Sequence, residues 1–346
     1  MIILLAALTL LLTSCKPAGS PNGGGNAEPG SVNVFNWGEY MDENLNEMFT
    51  QQTGIEVNYN TYPNNEVLYS TLVGGGSSYD VIIPSDYMIS RMIDEDLIQQ
   101  LDFGNIPNFE NIDPDLKNPA YDPENLYSVP YAWGTVGIIY DKTRVSAPVD
   151  SWSALFDKQY SGQILMFDNS RDAFGIALKL LGYSFNTTDE GKLREAFNLL
   201  LEQKPLVQAH VMDQIFDKME NGEAILAPYY AGDALTMMDA NENLAFAFPK
   251  EGTNVFVDAF CIPKGAANKA AAEAYINFMC SYEPGLSNID VTGYSTPLLD
   301  VYESLDEEIK NDGISYPTDM SGFETFTNLP EWTLSLYNEL WIELFK

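Results

Sequence analysis

The residues in this 346-residue chain that could do chemistry are aromatic rings and carboxylates set close together in short loops. Trp37-Gly38-Glu39-Tyr40 puts an indole, a carboxylate and a phenol within four positions, and Ser85 and Tyr87 form a second polar and aromatic pair. Asp168, Asn169 and Asp172 make a third group, and Tyr230, Asp233, Phe256, Asp258 and Tyr294 continue the pattern. Ring faces attract a positive charge and carboxylates neutralise it, so such groups suit capture of an organic ammonium. Each residue alone has a plainer role: Trp37 and Tyr40 as core aromatics, each Asp as a helix cap or solvated turn residue. Paired carboxylates in a cleft also suit the acid and base of a glycosidase.

Other chemistries lack their residues. The single histidine, His210, reads as a surface or satisfied helix residue, and no zinc cluster, HExxH, Walker loop or serine elbow is present. Gly74-Gly75-Gly76-Ser77-Ser78 has no following Lys and ends a helical pattern, so it reads as a C-cap and turn. Asp113 and Asp115 lack EF-hand spacing. No metal and no cofactor is implied. Lys and Arg total 17 against 50 Asp and Glu, a net charge of -33. Binding a phosphate backbone needs Lys/Arg clusters, so nucleic acid is excluded as a partner, whereas small cations are drawn in.

The elements that must position these groups follow an α/β pattern. Strand Val32–Phe35, a helix capped by Asp42 with Leu45, Met48 and Phe49 on its apolar stripe, and strand Ile55–Tyr59 come first. A helix from Asn64 or Asn65, strand Tyr79–Pro84 and a helix opened by Ser85-Asp86-Tyr87 complete a βαβαβα unit. Such a unit predicts a parallel, doubly wound sheet with ligand groups beyond the carboxyl ends of its strands. The Trp37–Tyr40 and Ser85–Tyr87 loops both lie at such ends. Residues 102–125 read as a long surface connection, followed by strands Tyr127–Tyr131 and Val136–Tyr140 with Trp133-Gly134 between them. A second α/β lobe then holds strand Ile164–Phe167, helices Ala173–Leu181, Asp189–Gln203 and Met212–Asn221, and strand Glu223–Pro228.

The first fourteen residues are apolar and too short to span a bilayer. They end in Leu12-Thr13-Ser14-Cys15, which resembles the bacterial lipoprotein signal cleaved before a lipidated Cys, although no Lys or Arg stands near Met1. Residues 16–31 read as a flexible tether. The expected location is therefore the periplasmic or extracytoplasmic face of the membrane, anchored through Cys15. Cys261 and Cys280 are expected as buried free thiols.

Asn36-Trp-Gly-Glu-Tyr40, Tyr79-Asp-Val-Ile-Ile-Pro-Ser85, Ser128-Val-Pro-Tyr-Ala-Trp-Gly134, Leu181-Gly-Tyr-Ser-Phe-Asn-Thr-Thr188, Phe248-Pro-Lys-Glu-Gly252 and Gly293-Tyr-Ser-Thr-Pro297 occur in register. Together they closely resemble the spermidine/putrescine-binding proteins of bacterial ABC transporters, from about Val32 to Pro297. The resemblance implies a two-lobed periplasmic-binding-protein fold, type II-like, each lobe a doubly wound, mostly parallel sheet, with crossing strands as hinge. Residues 32–136 plus 258–300 would form one lobe and 137–257 plus 301–346 the other. It implies a monomeric, non-enzymatic binding protein that hands putrescine or spermidine to a membrane permease. Trp37, Tyr40, Ser85 and Tyr87 would hold the methylene chain and one ammonium. Asp172 would hold one end, Asp258 would be the central carboxylate, and Tyr294 would line the wall. Asp233 matches the acid of the putrescine-preferring branch. Tyr230 and Phe256 stand where Trp is usual, and Asn169 where spermidine binders carry Asp, which leaves the choice of polyamine open. For the family's C-terminal Gln, Thr327 and Glu324 are the candidates. A quaternary ammonium ligand and an extracellular carboxylate-dependent hydrolase are the alternatives.

Overall fold

The computed structural model describes residues 30–75, 79–146 and 148–346, so Cys15 and nearly all of the tether lie outside the described residues. The chain opens with β1 (Ser31–Trp37), which buries Val32, Val34 and Phe35. Helix α1 (Asn44–Thr53) follows, with Leu45 and Phe49 buried, and Gly54 ends it in the left-handed conformation at φ 75°. Asp42 sits one residue outside the cap position and accepts from the Asn44 amide at 3.0 Å. Next come β2 (Glu56–Tyr62) and α2 (Asn65–Val73), capped by the Asn64 side chain and closed at Gly74. The ladder strand β3 (Val81–Ile82) is shorter than the apolar run 79–84 predicts. Helix α3 (Asp86–Asp94) starts immediately after Ser85. These strands form a parallel sheet in the order β2-β1-β3.

After β4 (Ile98–Gln99) the chain runs through short 3-10 turns to β5 (Val129–Asp141). Two strands broken at Trp133-Gly134 were expected, but β5 is one strand of 13 residues. Its halves have different neighbours, because Val129–Thr135 pairs with a later strand near the first sheet and Val136–Asp141 with strands of the second. Gly134 is extended: Phe256 and Tyr294 press their rings on its Cα, where a Cβ would lie 3.0 Å from Phe256 Cζ.

The second lobe contains β6 (Ile164–Phe167), α4 (Ser170–Leu180), α5 (Glu190–Gln203), β7 (Val207–Val211), α6 (Ile215–Glu220), β8 (Leu226–Tyr230), α7 (Ala231–Ala240) and β9 (Leu244–Ala247). β10 (Val255–Phe260) returns beside β5, and the sheet runs β10-β5-β8-β6-β7 with β9 also on β5. β6 pairs in parallel with β7 and β8, while the pairings of β5 are antiparallel. His210 lies on β7, not on a helix, packed edge-on against Phe345 at 4.8 Å. The weakly buried sequence of β7 hides it from a periodicity reading.

β11 (Ile262–Pro263) pairs with β4, and α8 (Lys269–Met279) and α9 (Tyr282–Thr292) return to the first lobe. After α10 (Leu299–Ser304) and α11 (Glu307–Lys310) the chain passes across again, and α12 (Glu331–Leu344) packs on α4 and α5. Strands β5 and β10 thus run between the lobes. Single bridges Ser85 to Asp258 and Ile82 to Cys261 tie β10 and the residue after it to the end of the first sheet. Cys261 and Cys280 are both buried and unbridged.

Candidate functional site

A cleft of about 660 Å³, counting the solvent at its mouth, opens where the strand ends of the two sheets face each other. Trp37 at the end of β1, Tyr40 behind it, and Ser85 and Tyr87 around the start of α3 line it from the first lobe. Asn169 and Asp172 at the start of α4, and Tyr230 and Asp233 where β8 meets α7, line it from the second. Phe256 and Asp258 come from β10, and Tyr294 from the turn after α9. The sequence-predicted groups are therefore brought together with two exceptions. Glu39 is exposed at φ 45° and is not among the residues lining the cavity, and Asp168 is exposed with its amide tied to Val211.

Sequence reasoning missed Asp86, Tyr62, Asn65, Asp213, Asn254 and Phe326, which also line the cleft. Thr327 and Glu324, the candidates for the family's C-terminal Gln, are not among the residues that line the cleft, whereas the neighbouring Phe326 is. Glu324 pairs with Lys179 and Ser184, and the Thr327 carbonyl accepts from Arg171.

The aromatic wall is held from behind. Trp37 donates its indole N–H to the Ile83 carbonyl at 2.8 Å and leans on Tyr62 at 4.9 Å. Tyr40 meets Tyr294 edge-on at 4.5 Å and donates its hydroxyl to Asp258 Oδ2 at 2.8 Å. Tyr230 donates to Asp172 Oδ2 at 2.9 Å and meets Phe256 edge-on at 5.5 Å. Asn65 donates to both the Ser85 and Tyr87 hydroxyls at 3.1 Å. These bonds fix rings and acids in place before any ligand contact is made, which limits the ordering cost of binding. Gly38 brings the lobes close: a Cβ there would run into Asp213 Oδ2.

The electrostatics are one-sided. Asp86, Asp172, Asp213, Asp233 and Asp258 line the cleft, and none of its lining residues is Lys, Arg or His. Asp258 is 4% exposed, and its Oδ1 has no hydrogen-bond partner. Burial pushes its carboxyl up to about 7, against the pull of Ser85 and Tyr40. Burial likewise lifts Asp86 to about 8 and Asp172 to about 6, the latter opposed by Tyr230 and Asn169. Asp233 is raised first by burial and then by Asp213 and Glu39. Asp172 also raises Asp258, and Asp258 raises Asp86, while Asp213 raises Asp233, so the cleft acids repel one another where no cation is bound. Desolvated carboxylates in such surroundings demand a cation. Among the described residues, no group of three or more His, Cys, Asp or Glu is placed to hold a metal ion.

Two α/β lobes joined by crossing strands, with an acid-lined aromatic cleft between them, define a two-lobed periplasmic-binding-protein fold. Sequence and structure comparison narrows this class. The chain belongs to the bacterial extracellular solute-binding protein family, whose pattern it matches over residues 44–318. It is 37% identical over 285 residues to the spermidine/putrescine-binding periplasmic protein of Escherichia coli strain K12, covering 82% of each chain. It also resembles the solved structure of the spermidine/putrescine ABC transporter substrate-binding protein PotD of Streptococcus pneumoniae, with TM-score 0.76 and 38% identity over 91% of this chain and 98% of that one. The TpPotD lipoprotein of Treponema pallidum matches with TM-score 0.81 and 29% identity, over 91% of this chain and 100% of its own.

Proposed function

We propose that the protein captures a polyamine, putrescine or spermidine, in the interlobe cleft and delivers it to an ABC permease. The observation that carries the reading is Asp258 Oδ1, a buried acceptor without a hydrogen-bond partner in a cleft lined by carboxylates and rings. A primary ammonium brings three N–H donors to such an acceptor, whereas a quaternary ammonium brings none. Tyr40, bonded to Asp258, packs on Tyr294, which stands beside Asp233; acids at both ends of a pair of rings suit a chain with a charge at each end and methylenes in the middle. The names of the curated relative and of the pneumococcal structure support the same ligand class.

Binding works by exchange. Each ammonium loses its hydration on lobe closure and must find a carboxylate, since an unpaired buried charge costs several kcal/mol. Aromatic faces add about 0.5–2 kcal/mol each, and micromolar affinity requires only about -8 kcal/mol net. The ligand contacts are assigned to Trp37, Tyr40, Ser85, Tyr87, Asp172, Tyr230, Asp233, Phe256, Asp258 and Tyr294, with Asn169 beside Asp172. The lobes are taken as 32–136 plus 258–300 and 137–257 plus 301–346, rotating about β5 and β10. The protein acts as a monomer and not as an enzyme, on the outer face of the cytoplasmic membrane, held by a lipid on Cys15. The lipoprotein relative from Treponema pallidum is consistent with that anchor.

A thermal-shift panel tests the ligand class. Putrescine or spermidine raises the melting temperature by several degrees, while choline, glycine betaine, neutral amino acids and sugars leave it within a degree; for a chain longer than 300 residues 1 kcal/mol corresponds to about 1–2 °C. Stabilisation by sugars without stabilisation by polyamines would end the polyamine reading.

A further inference from the structure

Beside the cleft sits a positive charge with no counterion in contact. Arg171, in the first turn of α4, is 2% exposed, and among the described residues it forms no ion pair. Its Nε has no hydrogen-bond partner, and its Nη atoms make only long bonds of 3.4 Å to the Thr327 carbonyl and Asn186 Oδ1. Its close contacts are aromatic: its guanidinium lies 4.6 Å from the Phe326 ring centre, 5.0 Å from Tyr87 and 5.6 Å from Tyr337, while Glu66, Asp172 and Asp86 attract it without direct contact.

These partners divide between the lobes. Thr327, Asn186 and Tyr337 belong with α4 and α12 in the second lobe, whereas Tyr87 opens α3 in the first. Tyr87 is itself braced by the first lobe, accepting from Asn65 Nδ2 at 3.1 Å and donating to Glu66 Oε1 at 3.4 Å. Phe326 meets Tyr87 edge-on at 5.8 Å and closes the ring of π faces. If the first lobe swings away, the guanidinium keeps its second-lobe partners and loses Tyr87.

We infer that Arg171 is a positioning residue for closure: a cation–π clasp between the lobes that holds the closed cleft shut over its cargo. This rests on the polyamine reading above and adds a residue that need not touch the ligand. A contact formed only in the closed arrangement slows ligand escape and leaves capture by the open arrangement unchanged. A guanidinium suits the task because its flat, weakly hydrated face stacks on rings, which an ammonium does less well.

The test is stopped-flow binding of putrescine and of spermidine to the wild-type chain, Arg171→Met and Arg171→Lys. The clasp predicts that the dissociation rate rises about tenfold in Arg171→Met and by less in Arg171→Lys, with association rates within about threefold of wild type. Unchanged dissociation rates in both variants overturn it, and so does an affinity loss carried by association alone. Should Arg171→Met fail to fold, Arg171→Gln, which removes the cation and keeps polar groups for the Thr327 carbonyl, decides: a dissociation rate equal to wild type sinks the clasp. A wild-type chain that binds neither polyamine overturns the underlying reading instead.

Discussion

Asp258→Asn is expected to lower polyamine affinity by about a hundredfold to several thousandfold while leaving the ligand-free fold as stable as before, or more so. The substitution keeps the shape of the side chain and an oxygen for the Tyr40 hydroxyl, now 2.8 Å from Oδ2. It removes the charge that a desolvated ammonium needs. Breaking one partner of a buried ion pair costs about 3–5 kcal/mol, and each 1.4 kcal/mol is a factor of ten. Stability moves differently because burial already disfavours the ionised carboxyl in the ligand-free protein. Calorimetric titration gives the affinity, and a melting curve without ligand gives the stability. An affinity within threefold of wild type would remove Asp258 from the site, and a collapse of the fold would make it structural.

The second large effect is on pH. Asp258, Asp172 and Asp86 are raised by burial to about 7, about 6 and about 8, whereas an unfolded Asp titrates near 3.9. Between about pH 4 and 8 the ligand-free folded chain therefore holds more protons than the unfolded chain. With the unfolded state binding fewer protons, stability falls as pH rises. These groups contribute most to folding below about pH 4, and that contribution is lost as pH climbs through 6 to 8. Polyamine binding has the opposite sign. Ammonium groups pair with ionised carboxylates, so binding expels protons, and affinity should rise about tenfold per pH unit for each proton released between pH 5 and 7. The ligand-free melting temperature should then drop from pH 5 to pH 8 while the polyamine-induced shift grows. Titration heats in buffers of different ionisation enthalpy count the protons, and an affinity flat from pH 5 to 8 would contradict the account.

Much of the site was legible because it follows strand order. In a parallel sheet the residues at and after each strand's carboxyl end face the same edge, so Trp37 closing β1 and the start of α3 after β3 fall together from hydrophobic pattern alone. The same rule, applied to β2, would have found Tyr62 and Asn65, which follow the strand's alternation into the next helix. Asp86 stands between two residues that were identified, yet its carboxylate reads as an ordinary helix-start acid until its 3% exposure is known. Phe326 carried no signal. It lies on an irregular segment whose neighbours, Tyr87 and Phe185, are far away in sequence. Strand β5 was misread for a related reason, since a Trp-Gly pair marks a turn locally and only the Phe256 and Tyr294 rings packed on Gly134 explain its extended form. Glu39 shows the reverse failure: it belongs to the motif, but it is exposed and lines no part of the cavity.

The central claim is that this cleft binds a polyamine through its buried carboxylates. Isothermal titration of the purified chain at pH 8 with putrescine and with spermidine tests it most directly. The account predicts saturable binding of at least one of them at one site per chain, with micromolar or tighter affinity. Absence of binding heat and of any melting shift with both, alongside saturable binding of a quaternary ammonium or a sugar, would contradict it.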